Sequence, residues 1–261
     1  MEEKNYMVKL GKHRLHRLLL PVLLVWSAAL TAQADSVPNP IHVWNEQALI
    51  TARGERLSDA QAARLYAMVN VAMYDAVNGI DAHRGSQERA HALVSPDGAP
   101  SNGDRSAAAS AAAFGVLSHT FPARSYQAAY DASLASVPPG NARDRGADWG
   151  QHVAEQVLIA RQNDGSLPNQ SQPGSNGPGE FRATWSGVQF RNLAPFAIAD
   201  PSRYVTSGPP PLQSTQYAAA LAELRILGNA AIPDAALLDT FNWWASNAGT
   251  SQPPGECPVR H

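Results

Sequence analysis

The chain is poor in cysteine and in charged residues. Cys257 is its one cysteine, so no intrachain disulfide can form and a disulfide-stapled fold is excluded. Charged residues make up 16% of the 261 residues, which is low for a cytosolic protein, and 44% are hydrophobic. A chain of this length and hydrophobicity can bury a substantial core.

Recognisable catalytic and metal-binding motifs are also missing. The eight histidines include no pair at the i, i+4 spacing of a helical zinc site, and there is no His-Glu-x-x-His run and no Gly-x-Ser-x-Gly elbow. The glycine-rich stretch 174–179 lacks the Gly-Lys-Ser/Thr ending of a phosphate-binding loop, so we interpret it as an ordinary loop. We expect His119 and His152 at the surface or near helix caps.

The longest apolar run lies near the N-terminus and has the pattern of a secretory signal peptide. A basic stretch, 9–17, precedes the apolar run 18–32, and an Ala-x-Ala sequence ends at Ala34. A bilayer span needs about 20 apolar residues, so this run is short for one, although an uncleaved membrane anchor is the alternative. We expect cleavage after Ala34 and export of residues 35–261 to the periplasm or the cell exterior, with no stable membrane span.

The exported part has an excess of acidic residues. The leader holds five Lys/Arg and two Asp/Glu of the chain's 20 and 22, which leaves 15 and 20 and a net charge near −5. We therefore expect no face that binds the phosphates of a nucleic acid.

The clearest secondary-structure signal is the stretch 61–80. Ser58-Asp-Ala-Gln61 fits the capping box that starts a helix. The stretch predicts a helix packed on a core, because its apolar residues recur in an i, i+3, i+4, i+7 series: Leu65, Met68, Val69, Ala72, Met73, Ala76, Val77 and Ile80.

The other side of this helix is apolar too, with Ala67, Val71 and Tyr74, which predicts burial all round. Its polar residues Asn70, Asp75 and Asn78 then need hydrogen-bond partners. Asp75 is the one candidate for a buried carboxylate. We interpret it as structural, pairing with an arginine or capping a neighbouring backbone, rather than catalytic.

Further helices are predicted at 104–120, 123–136, 141–164 and 214–227, and from Pro233 through Trp244, with Asn141 and Ser214 as caps. The stretch 37–40 is predicted to be extended. Residues 165–213 hold eight prolines and six glycines, which indicates a long irregular segment whose aromatics anchor it on a helical surface. No β-alternation of useful length is present, so the predicted fold class is all-α, a helical bundle.

Four segments, in this order, resemble bacterial proteins related to vanadium-dependent haloperoxidases, within the type 2 phosphatidic acid phosphatase superfamily. They are Val43-Trp-Asn45, the helical stretch 67–78 (Ala-Met-Val-Asn-Val-Ala-Met-Tyr-Asp-Ala-Val-Asn), 193–198 leading to 207–212, and 217–225 followed by 243–246 and 249–255. The resemblance spans most of residues 37–255. It implies a helical-bundle fold that binds vanadate, or phosphate in the phosphatases, in one shared pocket.

The resemblance implies a site built from a lysine, two arginines, a Ser-Gly-His segment and a final histidine that bonds to vanadium or attacks phosphorus. Such cations neutralise the oxyanion, and vanadate then binds hydrogen peroxide and oxidises halide. The sequence has neither a Pro-Ser-Gly-His run nor a Lys-x6-Arg-Pro pattern, and Arg203 and Arg225 do not occupy the matching positions. No catalytic, cofactor-binding or metal-binding residue is therefore assigned.

The stretch 256–261 also departs from the family pattern, and a frameshift or premature stop after Gly255 is the simplest hypothesis. We expect a signal peptide at 1–34, a partial haloperoxidase-like helical domain at 35–255 and an aberrant tail at 256–261. Such a chain would be inactive alone, and vanadate would be the cofactor of a full-length relative only.

Two alternatives stay open. One is a small helical binding protein of the cell envelope that uses segment 180–212 for recognition. The other is a non-catalytic subunit that self-associates or pairs with a separate catalytic chain. We also expect helix 61–80 to expose on the order of several hundred Å² of apolar surface, because C-terminal helices cover it in relatives. At about 25 cal/mol per Å² this favours poor solubility or a molten state.

Overall fold

The computed structural model describes residues 39–82, 93–228 and 234–244. Its helices in these ranges are α1 Pro40–Gly54, α2 Asp59–Ala82, α3 Arg105–Thr120, α4 Gln127–Ala135, α5 Asn141–Ala160, α6 Thr215–Leu227 and α7 Ala235–Trp244. Short 3-10 helices cover Val188–Asn192 and Pro201–Tyr204.

The predicted all-α class is confirmed for these residues. The β-structure among them is one antiparallel pair of two-residue strands, β1 Ser171–Gln172 and β2 Trp185–Ser186. The predicted signal peptide, 1–34, and the predicted tail, 256–261, lie outside the described residues.

The stretch 37–40 is predicted to be extended, but α1 already begins at Pro40. The reason is local. The side chain of Asn39 accepts a hydrogen bond from the Ile41 amide at 2.9 Å, and a proline is well suited to the first helical position because it has no N–H to leave unpaired.

Helix α2 begins with the predicted capping box. The Ser58 amide donates to Gln61 Oε1 at 2.9 Å, and the Gln61 amide donates to Ser58 Oγ at 3.4 Å. The predicted apolar series is buried, apart from the half-buried Val77, in a core that also receives side chains from α1, α3 and α5. The prediction of burial all round is wrong, because Tyr74 is 48% exposed.

Helix α3 packs closely against α5. Ten of its sixteen residues are buried, six of them alanines. Gly146 and Gly150 of α5 allow this approach, since a Cβ at either position would collide with the carbonyl oxygens of Asp104 and Ala108. Small side chains on both helices thus bring the two backbones together.

The ends of α5 differ from the sequence-based expectation. Asn141 is predicted to cap it, but Asn141 is the first helical residue and Gly140, with φ 141°, takes the cap position without a side-chain hydrogen bond. The helix ends at Ala160 rather than at 164, because Asp164 is drawn into contacts with two arginines.

Helix α6 has the predicted bounds, but unlike α2 and α3 it is not buried. Ser214 Oγ accepts from the Tyr217 amide at 3.1 Å, and Gly228 takes the C-cap position. None of its residues is buried. The expectation that helix 61–80 leaves its apolar face uncovered is wrong, since the apolar series of α2 is covered. Helix α6 instead exposes four large apolar side chains: Leu221, Leu224, Ile226 and Leu227.

Within the described ranges, no helix has the combination of length and hydrophobicity that crossing a membrane requires.

Candidate functional site

A cleft of about 830 Å³ opens where the first half of α2 and the ends of α3 and α5 meet the irregular segment that begins at residue 165. This volume lies in the range of about 300–1,000 Å³ that is usual for small-molecule sites. Its lining is mixed. Polar side chains from α2, α3, α5 and the segment alternate with eight apolar ones: Leu57, Leu65, Met68, Phe121, Leu158, Ile159, Leu167 and Phe190.

Two arginines and one aspartate meet beside this cleft. Asp164 Oδ2 accepts from Arg64 Nε at 2.7 Å and from Arg161 Nε at 3.0 Å. Arg64 Nη2 also donates to the Arg161 carbonyl at 3.1 Å. The side chains of Asp164 and Arg161 are 0% and 3% exposed. Two positive charges therefore share one buried negative charge, which leaves the group with one net positive charge.

Electrostatics keeps this group ionised. Burial alone would raise the pKa of Asp164, but hydrogen bonds from Arg64 and Ser166 outweigh it and hold that pKa below its usual value. Burial lowers the pKa of Arg161, and the neighbouring charge of Asp164 opposes this change. An arginine starts from a pKa above about 12, so its guanidinium stays charged at neutral pH.

Arg161 also holds the irregular segment on the helical body. Its Nη2 donates to the Ala194 carbonyl at 2.6 Å, its Nη1 donates to the Pro195 carbonyl at 3.2 Å, and its Cζ lies 3.8 Å from the centre of the Phe196 ring. The expectation that aromatics anchor the segment is confirmed for Phe196. It is wrong for Phe181, which is 66% exposed.

The polar residues predicted to need partners on α2 are used in packing. Asn70 and Asn45 of α1 exchange hydrogen bonds, with Asn45 Nδ2 donating at 3.1 Å and Asn70 Nδ2 donating at 2.8 Å. Asp75 Oδ2 accepts from the Leu93 and Val94 amides, both at 2.9 Å. The prediction that Asp75 caps a neighbouring stretch of backbone is confirmed.

For Asn78 the expected partner is not found for Nδ2 among the described residues. Asn78 is 8% exposed as a residue and its Nδ2 is buried, so this donor is nearly excluded from water.

The histidines at 119 and 152 are exposed, as predicted, and His119 lines the cleft. The His152 ring stacks on Trp149 at 5.3 Å between centroids. Arg203 and Arg225 are exposed and lie on separate elements. Across residues 39–82, 93–228 and 234–244, no three His, Cys, Asp or Glu side chains are placed to hold a metal ion.

The sequence reasoning missed the Arg64–Asp164–Arg161 group. Arg64 precedes the other two members by 97 and 100 residues, and the one local signal is the i, i+3 spacing of Arg161 and Asp164 at a helix end. The sequence also contains a signal about the vanadate or phosphate site that the resemblance implies. All lysines of the chain precede residue 13, whereas the resemblance implies a lysine within the site.

Comparison with known proteins adds no relative from which a role for these residues could be inferred, because no family model, no curated protein and no solved structure matches this chain.

Proposed function

We propose that the chain is related to the vanadium-dependent haloperoxidases and supplies helical scaffold of that fold, without vanadate chemistry of its own. The observation that supports the proposal is the use of the polar residues in the segment resembling the family. Asn70 is bonded to Asn45, and Asp75 holds two backbone amides. Asn70 thus joins α2 to α1, and Asp75 holds the chain at residues 93 and 94, so both groups serve the fold.

The buried cations support the same proposal. An oxyanion site stabilises its ligand with donors that are aimed at the ligand and not neutralised by other groups. Arg64 and Arg161 share Asp164 and donate to the backbone carbonyls of residues 161, 194 and 195. Arg161 is thereby committed to holding the fold, which leaves Arg64 as one partly available cation, whereas the resemblance implies a lysine and two arginines in the family site.

In this proposal the protein is exported, to the periplasm or the cell exterior, and vanadate belongs to a full-length relative rather than to this chain. Phosphate as a substrate is the alternative chemistry of that relative, through the phosphatase branch of the superfamily.

A role as non-catalytic partner subunit is the second candidate, and α6 favours it. Leu224 and Ile226 are 64% and 72% exposed, and large exposed apolar groups on one element mark protein contacts. A role as an envelope binding protein that recognises its ligand through 180–212 is favoured by the exposure of Phe181 and Tyr204, 66% and 73%.

The test is peroxide-dependent bromide oxidation by the purified chain, expressed in a host that exports it, with and without vanadate. Hydrolysis of p-nitrophenyl phosphate is measured on the same sample. We expect both rates to equal those of heat-denatured protein. Turnover that saturates with vanadate would overturn the proposal. Copurification with a chain that carries Pro-Ser-Gly-His would select the partner-subunit role.

A further inference from the structure

We infer that the cleft between α2, α3, α5 and the segment after residue 165 binds a small amphipathic carboxylate, with an apolar body against the cleft wall and its carboxylate at Arg64. This inference does not depend on the haloperoxidase relationship, because it rests on the walls, charges and rigidity of the cleft.

The apolar wall calls for an apolar ligand. Ile159 and Leu167 are the most exposed large hydrophobic side chains between residues 39 and 180 that the structure describes, at 63% and 74%, and both line this one cleft. Leu65 and Met68 line it too and are almost fully buried. A hydrocarbon body in the cleft would remove both exposed side chains from water, which is favourable at about 25 cal/mol per Å².

The positive charge of Arg64 determines which polar group the ligand should carry. The Arg64 side chain lines the cleft and is 18% exposed, so it is sheltered and still reachable. Because Arg64 and Arg161 share Asp164, one positive charge is left uncompensated. Arg64 Nε and Nη2 already donate to Asp164 and to the Arg161 carbonyl, so Nη1 is the nitrogen that would donate to the ligand carboxylate. Glu155 also lines the cleft, but it is exposed, and water screens its charge more than that of Arg64.

The wall formed by the segment is already fixed before any ligand arrives. Arg161 bonds to the carbonyls of Ala194 and Pro195 and stacks on Phe196. Within the segment, Gln189 accepts from the Gln170 amide at 3.0 Å, which joins two parts of the segment next to the lining residue Asn169. A ligand therefore does not have to order this segment, and less binding free energy is lost on association.

The probes are decanoate and its neutral analogue decan-1-ol, titrated calorimetrically into the full chain. We expect saturable 1:1 binding of decanoate, with a Kd at least about 10-fold below that of decan-1-ol. Absence of saturable binding, or equal affinity for the two probes, would overturn the inference.

Two matched variants locate the site. Ile159→Asp places a charge on the apolar wall and should weaken decanoate binding by about 10-fold or more. Ile50→Asp makes the same change at a position on α1 that is 42% exposed and does not line the cleft, and it should change the Kd less than about 2-fold. Equal weakening by the two variants would mean non-specific adsorption and would refute the site.

A third variant tests the carboxylate end. Arg64→Gln should raise the Kd of decanoate to that of decan-1-ol and leave decan-1-ol binding unchanged. Equal effects on both probes would remove the assignment of Arg64. If circular dichroism shows that Arg64→Gln does not fold, the ratio of the decan-1-ol Kd to the decanoate Kd is compared between the Ile50→Asp and Ile159→Asp proteins. Both positions are exposed. A ratio that is lowered in Ile159→Asp alone supports the site, and equal ratios overturn it.

Discussion

Helices α3 and α6 are both alanine-rich and both capped by a side chain at the N-terminus, but they differ in burial. Ten residues of α3 are buried, and none of α6 is. Asp104 caps α3 through the Ala107 amide at 2.8 Å, and Ser214 caps α6 through the Tyr217 amide at 3.1 Å. Local signals thus account equally well for both helices, and they say nothing about which of the two enters the core.

The difference in burial arises because α3 has a helix to pack against. Helix α5 offers Gly146 and Gly150 to α3, and its Trp149 donates to the Ala76 carbonyl of α2 at 3.0 Å. No described element packs closely against α6. Alanine allows close packing only where a facing helix also has small residues at the contact. Helices α1, α2, α3 and α5 therefore share a packed core, whereas α6 exposes apolar surface.

The largest expected effect comes from Asp164→Ala, at the border between the two regions. The substitution leaves Arg161, which is 3% exposed, without its carboxylate, and breaking a buried pair costs about 3–5 kcal/mol. Urea unfolding followed by circular dichroism measures this loss. The matched control is Asp144→Ala, whose partner Arg143 lies 3.3 Å away on the surface, and it should cost about 1 kcal/mol or less. Equal losses would contradict the importance assigned to the buried group.

Acid should weaken the same contact less severely. The pKa of Asp164 is lower in the folded chain than in the unfolded one, where it is about 3.9, so its contribution to stability is fully present above the unfolded pKa. That contribution falls as the pH drops from about 4 through the folded pKa. The free energy of unfolding, measured from pH 7 to pH 3, should show this decrease in the native chain and less of it in Asp164→Ala. Parallel pH profiles would count against the lowered pKa.

A β-branched residue at Gly150 should disrupt the packed region next. Gly150→Val places its Cβ against the Ala108 carbonyl, and overpacking of this kind costs about 1–3 kcal/mol. Ala222→Val on α6 is the control, because Ala222 is exposed and the change should cost less than about 1 kcal/mol of helix propensity. Thermal unfolding distinguishes the two variants. A tolerated valine at 150 would show that α3 and α5 are less closely packed than described.

The smallest effect on stability, and a visible effect on solubility, is expected on α6. Leu224→Ser removes an apolar side chain that is 64% exposed, so the free energy of unfolding should change by about 0.5 kcal/mol or less while light scattering falls. Leu117→Ser in α3, where the leucine is 0% exposed, should instead destabilise the fold by several kcal/mol, on the order of 3. If Leu224→Ser unfolds the chain, α6 has a partner beyond the described contacts.

Much of the helical architecture could be predicted from the sequence, because its signals are local. The Ser58–Gln61 capping box, the Ser214 cap and the Gly228 stop depend on residues within one turn of each other, and all three are present. The sequence does not predict the start of α1, because the prolines at 38 and 40 favour an extended chain and proline also suits a first helical turn.

The candidate site could not be predicted, because its contacts join distant parts of the chain. Arg64 and Asp164 are 100 residues apart, and so distant a pairing leaves no periodic pattern in a single sequence. The same holds for the 73 residues between Ala76 and Trp149. The exposure of Tyr74 was mispredicted for a related reason, since periodicity shows which residues are apolar and not how many neighbours a helix has.

The close contact of α3 with α5 also determines how slowly their backbone amides exchange hydrogen with water. Backbone amides enclosed by such packing exchange their hydrogens with water only when the surrounding unit opens, at a free energy near that of global unfolding. The amides of α6 need only local fraying of an exposed helix. Among the described helices, a protease that meets the folded chain would therefore cut α6 before it cuts α3.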